Sequence, residues 1–216
     1  TADRVFFASD DGSLYALDRE NGTLKWRFDL ESGSLERRLP ALGPPYAYDY
    51  LHSGPVYAAG TIYIGSASGD LYAVNALTGA ELWRFGTGGS IRSTPLVEGG
   101  IVYFGSWDGH TYAVDAATGD EIWRFDTGGI VQSSPASGDG KIYISSRSAQ
   151  TFALDAKTGE PQWTYRYTDG SWVESSAVYR DGGLYVGSSD AGKLRAFDAD
   201  SGKVLWRFAT KGWSWG

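Results

Sequence analysis

The stretch AVDAATGDEIWRF, residues 113–125, decides the fold, because the chain says nearly the same thing five times. Its counterparts are ALDRENGTLKW (16–26), AVNALTGAELW (73–83), ALDAKTGEPQW (153–163) and AFDADSGKVLW (196–206), all variants of AxDxxTGxxxW. The tryptophans that close them, Trp26, Trp83, Trp123, Trp163 and Trp206, stand 57, 40, 40 and 43 residues apart. Such a period holds four short strands and their turns but is too short to bury a core of its own, so the copies must stack on one another.

Around the phrase, apolar residues alternate in RVFFAS, TIYIGS, IVYFGS, KIYISS and GLYVGS, each halted by turn residues. That period belongs to strands, and no stretch carries the helical one. In the third copy the strands A to D read SIRSTPLV, IVYFGS, HTYAVDA and EIWRF. Between C and D, Asp115 is placed to bond the turn backbone and Gly119 to take a positive φ, which explains the fixed spacing from aspartate to glycine. The expected fold is all-β, a β-propeller of four-stranded antiparallel blades in a single domain over 1–216. Repeats fall near 4–28, 52–85, 91–125, 130–167 and 172–208, with an insertion at 29–51. The terminal TKGWSWG aligns with TGGSIRS at the start of a strand A, so five blades closed by the C-terminus completing the first are expected. The alternative is part of a seven- or eight-bladed ring. Arg27, Arg84, Arg124 and Arg207 follow the motif tryptophans on the outer strand, where charge guards an edge against pairing with another chain.

With 19 Lys+Arg against 26 Asp+Glu the net charge is −7, the wrong sign for nucleic acid or an anionic membrane. No run approaches the roughly 18 apolar residues of a membrane span, and a cleaved leader would leave no trace. The absence of cysteine excludes disulfides and thiolate chemistry. His52 and His110 are the only histidines and sit in different repeats, so no metal site is expected. Ser66, Ser106, Ser146 and Ser188 recur at one blade position without a GxSxG elbow, which reads as turn bonding and not as hydrolysis.

The repeated phrase resembles the tryptophan-docking motif of the pyrroloquinoline-quinone-like propeller family, over nearly the whole chain. Departures are Asn75 for Asp, Asn21 for Thr and Ser201 for Thr. The resemblance implies that each motif tryptophan packs between an alanine and a glycine of neighbouring motifs. It also implies a periplasmic or extracytoplasmic location, and relatives that include quinoprotein alcohol dehydrogenases, a lipoprotein scaffold of outer-membrane assembly and sensor domains. A quinoprotein needs a calcium site and commonly a vicinal disulfide; the latter is impossible here, and Asp10, Asp108 and Asp190 read as B–C turn chemistry. No cofactor is expected, with pyrroloquinoline quinone and calcium as the alternative.

Where the repeats disagree, they do so on one face. Successive turns of an antiparallel blade alternate between faces, so the uniform TG turns share one side and the B–C turns and D–A connections share the other. Aligned strand-A starts place His52, Arg92, Gln132, Glu174 and Trp215 at one position, with Trp107, Arg147, Trp172 and Trp213 above them. The insertion adds Tyr46, Tyr48 and Tyr50, residues suited to recognition. These twelve are the candidate binding residues; no catalytic residue is assigned. The expected function is a non-catalytic binding or scaffold propeller, monomeric, that recognises a protein, a peptide or a polar small molecule. Alternatives are a partial or degenerate quinoprotein dehydrogenase and a ligand-sensing domain of a larger receptor.

Overall fold

The computed structural model describes residues 3–9, 11–30, 53–170, 172–188 and 191–211. Among them there are nineteen strands and no helix. Blade one comprises β1 (Arg4–Ser9), β2 (Ser13–Asp18) and β3 (Leu24–Asp29); blade two β4 (Val56–Ala58), β5 (Thr61–Gly65), β6 (Asp70–Asn75) and β7 (Glu81–Gly86). Blade three comprises β8 (Leu96–Glu98), β9 (Ile101–Gly105), β10 (His110–Asp115) and β11 (Glu121–Asp126); blade four β12 (Ala136–Gly138), β13 (Lys141–Ser146), β14 (Gln150–Asp155) and β15 (Pro161–Arg166). Blade five comprises β16 (Val178–Arg180), β17 (Gly183–Ser188), β18 (Lys193–Asp198) and β19 (Val204–Ala209). Every sheet is an antiparallel meander in chain order, so the chain is the expected all-β propeller of five blades. The strand expected to complete blade one falls on 212–216, outside the described residues.

The motif turn is built as its residues dictate. Asp115 Oδ1 accepts from the N–H groups of Ala117 (2.8 Å) and Thr118 (2.9 Å), and Gly119 has φ +79°. Asn75 Oδ1 accepts the same pair from Leu77 and Thr78, both at 2.9 Å, so asparagine serves where only an acceptor is needed. Past the turn, Ala113 faces Trp123 while Val114 faces Glu121, a bulge that leaves Ile122 unpaired and aims the indole at the next blade.

There the Trp123 indole N–H donates to Ala156 O (3.0 Å), and the ring lies on Gly159, where a Cβ would come within 2.6 Å of it. Trp26, Trp83 and Trp163 do the same to Ala76, Ala116 and Ala199 at 3.1, 3.1 and 2.9 Å. The B strand adds a second donor to each carbonyl, using its other lone pair: Tyr63, Tyr103 and Tyr143 hydroxyls donate to Ala116, Ala156 and Ala199. In blade one, where Phe6 stands at that position, Arg4 Nη1 supplies the missing donor to Ala76 O at 3.0 Å. Trp206 is the exception to the expected packing: its side chain is 46% exposed and no hydrogen bond from its indole is found among the described residues. The motif that would receive it in a closed ring is that of blade one, whose Gly22 has nothing within 4 Å.

The inner strand is shorter than the expected SIRSTPLV: pairing in blade three begins at Leu96. Pro95 has no N–H to offer, and the residues before it bond across blades instead. Gly54 N–H donates to Thr94 Oγ1, Thr94 N–H to Ser134 Oγ and Ser134 N–H to Ser176 Oγ, each at 3.0 Å. A hydroxyl ladder thus ties the blades along their inner edge.

Candidate functional site

The face opposite the TG turns is assembled from two segments that touch. In blade three Thr87 Oγ1 donates to Gly69 O (3.0 Å) and Gly89 O (2.8 Å) and pairs with Ser106 Oγ at 2.9 Å, joining the D–A connection to two B–C turns. Gly89 is pressed against the neighbouring turn, where a Cβ would sit 2.5 Å from Asp108 N. Only glycine allows this approach, and it lets Trp107 N–H donate to Ser90 O at 2.9 Å. Gly129 meets Ser148 N in the same way (2.6 Å), and Arg147 N–H donates to Ile130 O at 2.9 Å. The side chains that break the repeat are therefore presented on backbone that keeps it.

Those side chains converge. The Arg92 guanidinium lies 3.8 Å from the Trp107 ring centroid. Arg147 lies 5.6 Å from Trp107 and 5.2 Å from Trp172, giving an alternating file Arg92–Trp107–Arg147–Trp172. Arg147 Nε donates to Glu174 Oε1 at 2.5 Å, and its Nη2 reaches Gln132 Oε1 at 3.4 Å. Glu174 is buried, Arg147 half-buried, and Trp172, at the end of the file, is 49% exposed. The Trp107 indole N–H is buried with no hydrogen-bond partner among the described residues. Cation–π contacts contribute about 0.5–2 kcal/mol each, so the file is held together as well as charged.

Six of the twelve expected residues, Arg92, Gln132, Glu174, Trp107, Arg147 and Trp172, are thus brought together. His52, Trp213, Trp215, Tyr46, Tyr48 and Tyr50 lie outside the described residues. One further cluster escaped the sequence reading. Buried Arg195 donates to Asp169 Oδ2 (2.6 Å) and to Ser188 Oγ (3.2 Å) and lies 4.6 Å from the Tyr167 ring, while Lys193 reaches the same Asp169 at 2.9 Å. The signal was present in the C strands: Tyr72, Tyr112 and Phe152 hold the position that Arg195 takes in blade five. Next to Trp107, burial opposes ionisation of Asp108, yet the hydrogen bonds donated by Tyr112 Oη and by the N–H groups of His110 and Gly88 hold its carboxyl below the usual range.

Chemically the face gathers flat cations and aromatics. Among the described residues no three His, Cys, Asp or Glu gather as metal ligands, and Asp108 spends its oxygens on Tyr112, His110 and Gly88.

Comparison with known proteins agrees with this architecture. The family model described as outer membrane protein assembly factor BamB matches residues 10–129 and 108–214. No curated protein sequence gives a match. Among solved structures, BamB from Moraxella catarrhalis superposes with a TM-score of 0.73 at 21% identity, over 95% of this chain and 58% of that one. Quinohemoprotein alcohol dehydrogenase from Comamonas testosteroni gives 0.65 at 20% identity, over 72% and 34%. The computationally designed Ika8 protein gives 0.76 at 16% identity, over 99% and 61%. The chain therefore spans little more than half the length of the BamB it resembles. At these identities the structural likeness shows the fold, while the family match covers nearly the whole chain: it belongs to the pyrroloquinoline-quinone-like repeat family of β-propellers that includes BamB.

Proposed function

We propose that this chain is a non-catalytic binding or scaffold propeller that takes a protein or peptide partner on the face of the B–C turns and D–A connections, in an extracytoplasmic compartment. The observation that carries the reading is the file Arg92–Trp107–Arg147–Trp172, fixed on its buried side by Glu174 and half-exposed at Trp172. Tryptophan and arginine dominate binding energy at protein interfaces: the indole covers a large area with few rotors, and the guanidinium offers a fixed fork of donors. Here both types already contact one another and Glu174, and such mutual packing lowers the entropic cost of association. The match to an outer-membrane assembly factor supports a scaffolding role and the compartment.

The alternation also favours a partner chemistry. Trp172 ends the file half-exposed, and a cationic or aromatic partner suits its ring and a chain of net charge −7. A random peptide array probed with wild type, Trp172→Ala and Arg147→Ala tests the reading. Wild type is expected to select peptides rich in Arg, Lys or aromatic residues, and each variant to lose that selection. Identical binding profiles for all three proteins would overturn it.

A further inference from the structure

Two of the D–A connections are held by bonds to backbone carbonyls. Thr87 Oγ1 bonds to Gly69 O and Gly89 O, and Thr127 Oγ1 to Gly109 O and Gly129 O, all at 2.8–3.0 Å. Farther along, the Ile91 and Val131 N–H groups return to Ser66 O and Ser106 O at 2.9 and 3.1 Å. The connection into blade five breaks this pattern. Tyr167 stands in place of the threonine, and Tyr167 to Val173 is two residues longer than Thr87 to Ile91. The Tyr167 hydroxyl bonds to Thr151 Oγ1 at 2.8 Å instead, and no backbone bond from Val173 to Ser146 is found among the described residues. Yet this is the connection that carries Trp172 and Glu174.

Charge takes over where those bonds are missing. Asp169 Oδ2 accepts from Arg195 Nη2 at 2.6 Å and from Lys193 Nζ at 2.9 Å, both donors lying on β18 of blade five. Arg195 itself departs from the repeat, and its guanidinium lies 4.6 Å from the Tyr167 ring, so three departures form one cluster. Its side chain is only 3% exposed, and a charge buried so deeply keeps its place through the opposite charge that meets it. Beyond Trp172, Glu174 is paired with Arg147 of the blade-four turn. Trp172 therefore lies between two ion pairs along the chain.

We infer that the Asp169–Arg195 pair is a positioning device for the recognition face: together with Glu174–Arg147 it sets where Trp172 meets the file. Asp169 and Arg195 stand outside the file and need touch no partner. Trp107 and Arg147 are presented by turns that press on Gly89 and Gly129, whereas Trp172 is placed by charge. This role in recognition rests on the binding function proposed above for the file; the placement of Trp172 can be measured without it.

Asp169→Asn removes the charge and keeps the shape. The double variant Asp169→Asn/Arg195→Tyr leaves no unpaired charge buried and returns the residue that Tyr72 and Tyr112 provide in other blades, so its folding does not depend on the pair. Fluorine NMR of the full chain labelled with fluorotryptophan reads each of the nine tryptophans, and Trp172→Phe identifies the Trp172 resonance by its loss. In both variants that resonance is expected to move while those of the docked Trp83 and Trp123 stay. Affinity for the peptides that wild type selects is expected to fall by roughly 3- to 30-fold. Arg195→Lys keeps the charge without the guanidinium fork and should fall between wild type and Asp169→Asn. A pair that served stability alone would lower the urea midpoint and leave the Trp172 resonance where it was; that result in either folded variant would overturn the inference. So would a resonance that moves while peptide affinity is unchanged. Wild type that selects no peptide would defeat the binding function and the role in recognition with it, and the fluorine spectra, which need no partner, would still decide whether the pair places Trp172.

Discussion

Replacing Gly159 by alanine isolates what a docked tryptophan contributes, because the structure supplies its own control. Gly159 has φ +73° and Gly22 has φ +72°, so alanine meets the same backbone strain at both, about 1–2 kcal/mol for a side chain in the left-handed region. At Gly22 the new Cβ meets nothing, and the loss ends there. At Gly159 the Cβ would stand 2.6 Å from Trp123 Cδ2, far inside contact distance, and Trp123 cannot retreat without stretching its 3.0 Å hydrogen bond to Ala156 O. Overpacking of that kind costs about 1–3 kcal/mol more. With a urea dependence of about 2 kcal/mol per molar, the unfolding midpoint of Gly159→Ala should fall below that of Gly22→Ala by roughly 0.5–1.5 M. The measurement is urea unfolding followed by circular dichroism. Gly99→Ala, at φ +59° with open space, sets the pure backbone cost. Equal midpoints for Gly22→Ala and Gly159→Ala would refute the claim that the tryptophan–glycine contact holds the blades together.

Three further outcomes follow from the same geometry. Arg147→Ala strands the buried Glu174 carboxylate and should cost about 2–4 kcal/mol, while Glu174→Gln in that background restores part of the loss; a double-mutant cycle by chemical denaturation checks both. Asn75→Asp should be nearly neutral and Asn75→Ala should cost about 1 kcal/mol, because the turn needs only the side-chain oxygen that accepts from Leu77 and Thr78; thermal melts of the two variants decide it. Burial raises the Tyr103 hydroxyl from 10.0 to about 12 in the folded chain, so its contribution to stability is complete below pH 10 and is lost as the pH rises toward 12. Tyrosinate absorbance and loss of sheet signal should therefore rise together in that window, and Tyr103→Phe should soften the alkaline loss while lowering stability at neutral pH.

Much of the fold was legible because a repeat multiplies weak signals. One AxDxxTGxxxW is a turn and a tryptophan; five at near-constant spacing impose a register, and the register located strands, turns and the irregular face together. The strand-A boundary was misread because SIRSTPLV has the alternation of a strand, while its hydroxyls find partners on the neighbouring blade, which no local pattern reveals. At the candidate site, alignment placed Arg92, Gln132 and Glu174 on one ring and Trp107, Arg147 and Trp172 above it, but it could not show which would touch. It also passed over Arg195, whose significance lies in its burial against Asp169 and Tyr167.

Sequence by itself therefore determined the unit, its number and the face on which the units differ, since period-two alternation, turn chemistry and spacing are local properties of the chain. Tertiary structure alone decided which carbonyl each indole reaches, that Arg4 replaces a missing tyrosine hydroxyl, and that four tryptophans are docked while Trp206 is exposed. Five closely similar motifs cannot distinguish a docked tryptophan from an exposed one, because the difference lies in what stands opposite each motif, and that is set by how the blades are placed in space.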